Sequence, residues 1–146
     1  MNSKSTFTNR RDEAKSAARF AGVIQRNSAD KPTMITVPGH NGKQYDVIVK
    51  RLEGGLLVCE CRLYTGKNGY APCPGSNFVC YHALGSVIAV AQDSGYSLVL
   101  CHSEKDAKRL INRYGGAVLK VVNKVGSDEV FAVAYKPTPD VLPKNA

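Results

Sequence analysis

Two short pairs of residues carry most of the chemistry in this chain. Cys59-Glu-Cys61 is followed by Cys80-Tyr-His82, which written out is C-x-C-x18-C-x-H. Three thiols and one imidazole are a standard closed donor set for a structural zinc ion, which takes four ligands in a tetrahedron. The spacing is workable. Residues i and i+2 of a strand point to one face, so Cys59 and Cys61 can converge on one ion. Cys80 and His82 would diverge if both were helical. Cys80 is therefore expected in extended geometry just before a helix, with His82 in the first turn. The positive end of that helix favours the thiolate form of Cys80.

Three further groups stand near this pattern. Cys73, in C-x6-C-x-H spacing with Cys80 and His82, could replace one ligand. Cys101-His102 could reach the site if its strand packs alongside. The expectation is a loop position for Cys73, a core position for Cys101, a strand-end position for His102 and a solvated turn for His40. Catalysis is not expected. Cys101 and His102 are strand neighbours that point apart and make a poor nucleophile-base pair. Four protein ligands would close the coordination sphere of a zinc. The sequence has no paired-carboxylate motif, phosphate-cradling glycine loop or G-x-S-x-G elbow.

The pattern resembles the SWIM zinc finger, whose signature is C-x-C, a variable spacer and C-x-H. The resemblance covers about residues 44–92, with a β hairpin running into the first pair (YDVIVKRLEGGLLVCEC) and an apolar helix starting at the second (CYHALGSVIAVA). It departs from the usual family pattern in carrying Arg62 where Pro is common, and Tyr81 where a basic residue is common. The resemblance implies a zinc-bound ββα core with Zn2+ held by Cys59, Cys61, Cys80 and His82. It also implies a role in DNA binding or protein contacts.

The elements that must position these residues can be read from periodicity and punctuation. A helix is expected over about 9–25, capped by Thr8 or Asn9, with Ala14, Ala17, Phe20, Ala21 and Ile24 on its core face. Strands are expected at Met34–Val37, at Gln44–Lys50 with Tyr45, Val47 and Val49 on one side, and at Leu56–Cys61 after the Glu53-Gly-Gly turn. Residues 62–79 read as a loop. His82–Gln92 is apolar nearly all round and reads as a buried helix ended by Asp93-Ser-Gly. A strand at Tyr96–Cys101 precedes a capping box, Ser103-Glu-Lys-Asp106, and a helix that Gly115-Gly116 stops. Ala117–Val122 and Glu129–Tyr135 pair as a hairpin.

The expected class is α+β. Residues 1–31 form a basic amphipathic helix and linker, 32–95 the finger, 96–136 a β-α-β-β extension, and 137–146 a flexible tail.

The chain has 146 residues and a formal net charge of +8. The charge is unevenly spread. Residues 1–31 hold seven basic and three acidic groups, and residues 59–102 hold two of each, with all five cysteines. Apolar runs such as Val87–Ala91 are far too short to span a bilayer, so no membrane association is expected. The first residues lack an apolar signal core, and the odd number of cysteines does not suggest a disulfide frame. Both point to an intracellular setting.

Basic side chains line one face of each amphipathic helix: Arg11, Lys15, Arg19 and Arg26 in the first, Lys105, Lys108, Arg109 and Arg113 in the last. Such stripes can neutralise phosphates. The expected function is a small non-catalytic zinc module that binds nucleic acid, DNA sooner than RNA. The alternative is a zinc-stabilised adaptor for a protein partner. No small-molecule substrate is expected.

Overall fold

The computed structural model describes residues 3–25, 33–39, 42–66, 69–73, 79–123 and 128–135. The molecule is α+β. Helix α1 (Ser3–Phe20) leads into strand β1 (Gly22–Gln25) and strands β2 (Thr33–Pro38), β3 (Gln44–Leu52) and β4 (Leu56–Tyr64). A short strand β5 (Tyr70–Pro72) precedes helix α2 (Tyr81–Asp93). Then follow β6 (Ser97–Cys101), helix α3 (Glu104–Tyr114), β7 (Ala117–Asn123) and β8 (Glu129–Tyr135).

All the strands join one sheet in the order β1-β2-β3-β4-β7-β8-β6, with β5 paired to β4. The expected boundary at residue 95 falls between α2 and β6, and strands from both sides of it share this sheet. Most neighbours are antiparallel, and β4 and β7 run parallel with Leu57 beside Val121 and Cys59 beside Asn123. Strand β4 therefore changes partner along one edge. Its first half pairs with β7, and its second half, from Arg62 to Tyr64, pairs with β5.

Alternation along the strands divides the core in two. Tyr45, Val47 and Val49 point to one face, as their spacing predicts, and join Ile35, Val37, Leu57, Cys59, Leu98, Leu100, Val121 and Ala132 beneath α1 and α2. Val99, Cys101, Val118, Phe131, Val133 and Tyr135 point to the other face, beneath Ala107, Leu110 and Ile111 of α3. The sheet thus has α1 and α2 on one side and α3 on the other, over β6 to β8.

The two helices on the first face meet through small residues. A Cβ added at Gly85 would lie 3.0 Å from the Ala14 carbonyl oxygen and 3.1 Å from Ala17 Cβ. That close approach lets Leu84, fully buried, reach the sheet. Truncating such a side chain costs about 2–5 kcal/mol.

The structure revises several expected elements. The first helix starts at Ser3, ahead of the expected caps, and ends at Phe20. Val23 and Ile24 belong to β1, which pairs with β2, so the β-branched pair after Gly22 continues as strand. Phe20, expected in the core, is 70% exposed at the helix end. The expected loop over 62–79 contains the end of β4 and all of β5. The other elements agree closely. Gly54 and Gly55, at φ 76° and 77°, make the β3–β4 turn. The Asp106 amide donates to Ser103 Oγ at 3.2 Å, and Gly115, at φ 79°, ends α3 by donating to the Ile111 carbonyl at 2.9 Å. The tail from 137 onward lies outside the described residues.

Candidate metal centre

Strand β4 supplies the first donor. Leu57, Cys59, Cys61 and Leu63 alternate onto the helix-covered face. Beyond Cys59, β4 leaves β7 and takes β5 as its neighbour, in a ladder that pairs Tyr64 with Tyr70, Leu63 with Ala71 and Arg62 with Pro72. The next step of that ladder sets Cys73 against Cys61, and the Cys73 amide donates to the Cys61 carbonyl at 3.4 Å. Cys73 is therefore the second donor.

Cys80 and His82 open α2. Cys80 is its N-cap, in extended geometry at φ −74° and ψ 167°, and His82 falls in the first turn, as their one-residue separation requires. The ligand atoms of Cys61, Cys73, Cys80 and His82 all lie within 4.8 Å of one another. In a tetrahedral zinc site the sulfurs stand about 3.8 Å apart, so a small contraction would suffice.

Of the four expected ligands, the structure brings Cys61, Cys80 and His82 together and adds Cys73 to them. Cys59 lies outside the group, fully buried in the core where β4 still pairs with β7. Burial pushes its thiol up to about 12, with Cys80 contributing. The signal for Cys73 was present in the sequence. Arg62-Leu-Tyr64 and Tyr70-Ala-Pro72 flank a stretch bounded by Gly66 and Gly69, which is a hairpin pattern. Cys101 and His102 stand apart at the end of β6. Cys101 belongs to the core under α3, and His102 is exposed. His40 lies outside the described residues.

The donor set suits a cation. Hydrogen bonding with Cys73 and Cys80, followed by burial, pushes the Cys61 thiol far up from its ordinary range. For Cys80, the hydrogen bond from Cys61 favours the thiolate. Its contact with Cys73 and its burial outweigh that, and the net position is about 11. Thiols this crowded cannot ionise together without a compensating charge. A divalent ion among them reverses the effect, because a coordinated thiol is deprotonated outright.

His82 is held by two rings. Tyr45 stacks on it at 3.7 Å between centroids and 19° between planes, and Tyr81 lies against it at 4.0 Å. Its Nδ1 is 3.8 Å from Cys73 Sγ, and its Nε2 is buried with no hydrogen-bond partner among the described residues. Nε2 faces Gly39, where an added Cβ would come within 3.4 Å of it and collide with the Tyr45 ring.

A second anchor holds the start of α2. Asp128 Oδ2 accepts from Arg10 Nη1 and from the Val79 amide, each at 2.8 Å, and the same Nη1 donates to the Val79 carbonyl at 2.9 Å. The residue before Cys80 is thereby tied to α1 and to the start of β8. Sequence reading singled out neither Arg10 nor Asp128, because nothing local marks a contact across 118 positions.

The basic candidates divide between the two faces of the sheet. On α1, Arg11 and Lys15 are half-buried, Arg19 is exposed, and Arg11 lies 3.7 Å from Asp12. Arg26 lies outside the described residues. On α3, Lys105 and Arg113 are exposed, Lys108 is 3.8 Å from Glu104, and Arg109 is 3.9 Å from Asp106. The two stripes belong to helices packed on opposite sides of the sheet. Among the described residues no helix is long and apolar enough to cross a membrane. No protein-family model, curated protein sequence or solved structure matches the chain.

Proposed function

We propose that the protein is a zinc-stabilised, non-catalytic binding module, with the ion held by Cys61, Cys73, Cys80 and His82. The convergence of these four donors within 4.8 Å carries the reading. Three thiolates and an imidazole suit zinc better than calcium or magnesium, which take oxygen ligands. Four protein donors leave no open position for a substrate, as expected of a structural ion. Such a site contributes about 10–16 kcal/mol of apparent binding energy, comparable to the whole stability of a typical domain. The ion would join β4, β5 and the start of α2. The resemblance to SWIM fingers accords with a hairpin and a helix meeting at one ion, with Cys73 in the place expected for Cys59.

The partner in this proposal is nucleic acid, DNA sooner than RNA, contacted by Arg11, Lys15, Arg19 and Arg26 or by Lys105, Lys108, Arg109 and Arg113. The net charge of +8 supports it. Because α1 and α3 lie on opposite faces of the sheet, the basic residues of each helix would make their own phosphate contacts. A titration against short DNA and RNA at two salt concentrations tests the partner. Binding that weakens steeply with salt is expected, and the slope should fall when Arg11, Lys15 and Arg19 are neutralised. Absence of retention at low salt, with a protein recovered by pull-down, would favour an adaptor. Metal content measured alongside tests the zinc separately.

A further inference from the structure

Strand β5 carries Cys73 to the metal centre, yet the sheet alone holds it weakly. It is three residues long. The bond that follows, from the Cys73 amide to the Cys61 carbonyl, is long at 3.4 Å. The turn behind it is closed locally, by the Thr65 amide on the Gly69 carbonyl at 2.7 Å and by Thr65 Oγ1 on the same oxygen at 2.8 Å. Among the described residues, nothing in that turn ties β5 to the strands beyond β4.

That tie comes from the opposite face of the sheet. Tyr70 and Cys73 are three positions apart in extended chain, so their side chains leave by opposite faces. Tyr70 reaches across β4 and donates its hydroxyl to Asp46 Oδ2 on β3 at 2.5 Å. Asp46 lies opposite Arg62 in the β3–β4 ladder, and the Arg62 guanidinium sits over the Tyr70 ring at 4.3 Å. Asp46 is only 3% exposed. Its other oxygen accepts from Thr36 Oγ1 at 3.0 Å and Gln44 Nε2 at 3.1 Å, which ties it to β2 and β3 independently of Tyr70. A carboxylate so anchored is a rigid acceptor, and a hydrogen bond to a charged group is among the stronger ones.

We propose that Asp46 and Tyr70 are positioning residues for the metal centre, which latch β5 across β4 and so hold Cys73 in place against Cys61. The proposal rests on the metal-binding reading above. Neither residue touches the ion, and both act through Cys73.

The test uses the full chain and zinc alone, with affinity read by competition against a chromogenic chelator. Tyr70→Phe keeps the ring under Arg62 and removes only the hydroxyl. It should weaken zinc binding by about 10–100-fold, the usual effect of losing an outer-shell partner. The cobalt-loaded variant should show weaker thiolate-to-cobalt charge-transfer absorption, because Cys73 ligates less completely. Asp46→Asn should act in the same direction. The decisive comparison is a cycle with Cys73→Ser, in which Tyr70→Phe should lose its effect once the Cys73 ligand is gone. Unchanged affinity in Tyr70→Phe, or the same loss in both backgrounds, would overturn the latch while leaving the metal site intact. A wild-type chain that binds no zinc would overturn the site and the latch together.

Discussion

The Cys73 amide donates to the Cys61 carbonyl at 3.4 Å, which sets Cys73, just past the end of β5, beside Cys61 on β4 although twelve positions separate them in sequence. The candidate metal-binding group is built on this pairing, with Cys80 and His82 brought to it by α2. The hairpin turn between β4 and β5 is therefore part of the site.

His82 depends on Gly39 as well as on its own helix. A methyl group at Gly39 would collide with the Tyr45 ring that stacks on the imidazole. Gly39→Ala is expected to destabilise the protein by about 1–3 kcal/mol, as overpacking usually does. It should also weaken zinc binding. Urea unfolding and zinc competition on the same sample check both effects.

The contact between α1 and α2 sets a second expectation. At Gly85 even a Cβ would lie 3.0 Å from the Ala14 carbonyl oxygen. Gly85→Val should force the helices apart and lower stability by about 1–3 kcal/mol or more. A control substitution at exposed Gln92, Gln92→Ala, should change it by less than about 0.5 kcal/mol. Thermal melts of the two variants provide the comparison.

Asp128 should matter beyond its own hairpin. It accepts from both Arg10 and the Val79 amide, next to Cys80. Asp128→Ala leaves both donors without this acceptor, and a cost of about 1.5–3 kcal/mol is expected from losing hydrogen bonds to a charged group. Hydrogen exchange should show faster exchange of the Val79 amide and of the first turn of α2. Unchanged exchange there would contradict the anchor.

Alkaline pH should destabilise the fold through Cys101, which lies away from the metal group. Burial, then the nearby Asp106 charge, pushes its thiol from an ordinary 9.0 to about 11. A raised thiol pKa means the folded state favours the neutral form. The corresponding stability is complete below pH 9 and is lost as pH rises through about 11. Cys101→Ala removes this dependence, so the stability gap between wild type and variant should shrink across that window. A gap that stays constant from pH 8 to pH 11.5 would contradict the assignment.

Much of the fold was legible because local signals and tertiary packing agree. Ser103 caps α3 as its box predicts, Gly54 and Gly55 turn the β3–β4 hairpin, and Tyr45, Val47 and Val49 face the core. The failures occur where a distant partner decides. Val23 and Ile24 fit the helical periodicity of the residues before them, but β2 offers them a strand neighbour. Cys59 and Cys61 share a face, as the pleat requires, yet a shared face does not place both at one point. Strand β4 exchanges β7 for β5 between them, and only Cys61 meets Cys73. The pairings of Asp46 with Tyr70, across β4, and of Arg10 on α1 with Asp128, just before β8, were not legible because no fixed spacing in the sequence marks them.

The identity of the fourth donor is tested most directly by measuring zinc retention in Cys59→Ala and Cys73→Ala proteins after dialysis against a weak chelator. Cys59→Ala should keep stoichiometric zinc, with a stability loss from the core cavity alone. Cys73→Ala should lose the metal. The reverse pattern, with zinc lost from Cys59→Ala and retained by Cys73→Ala, would contradict the site described above.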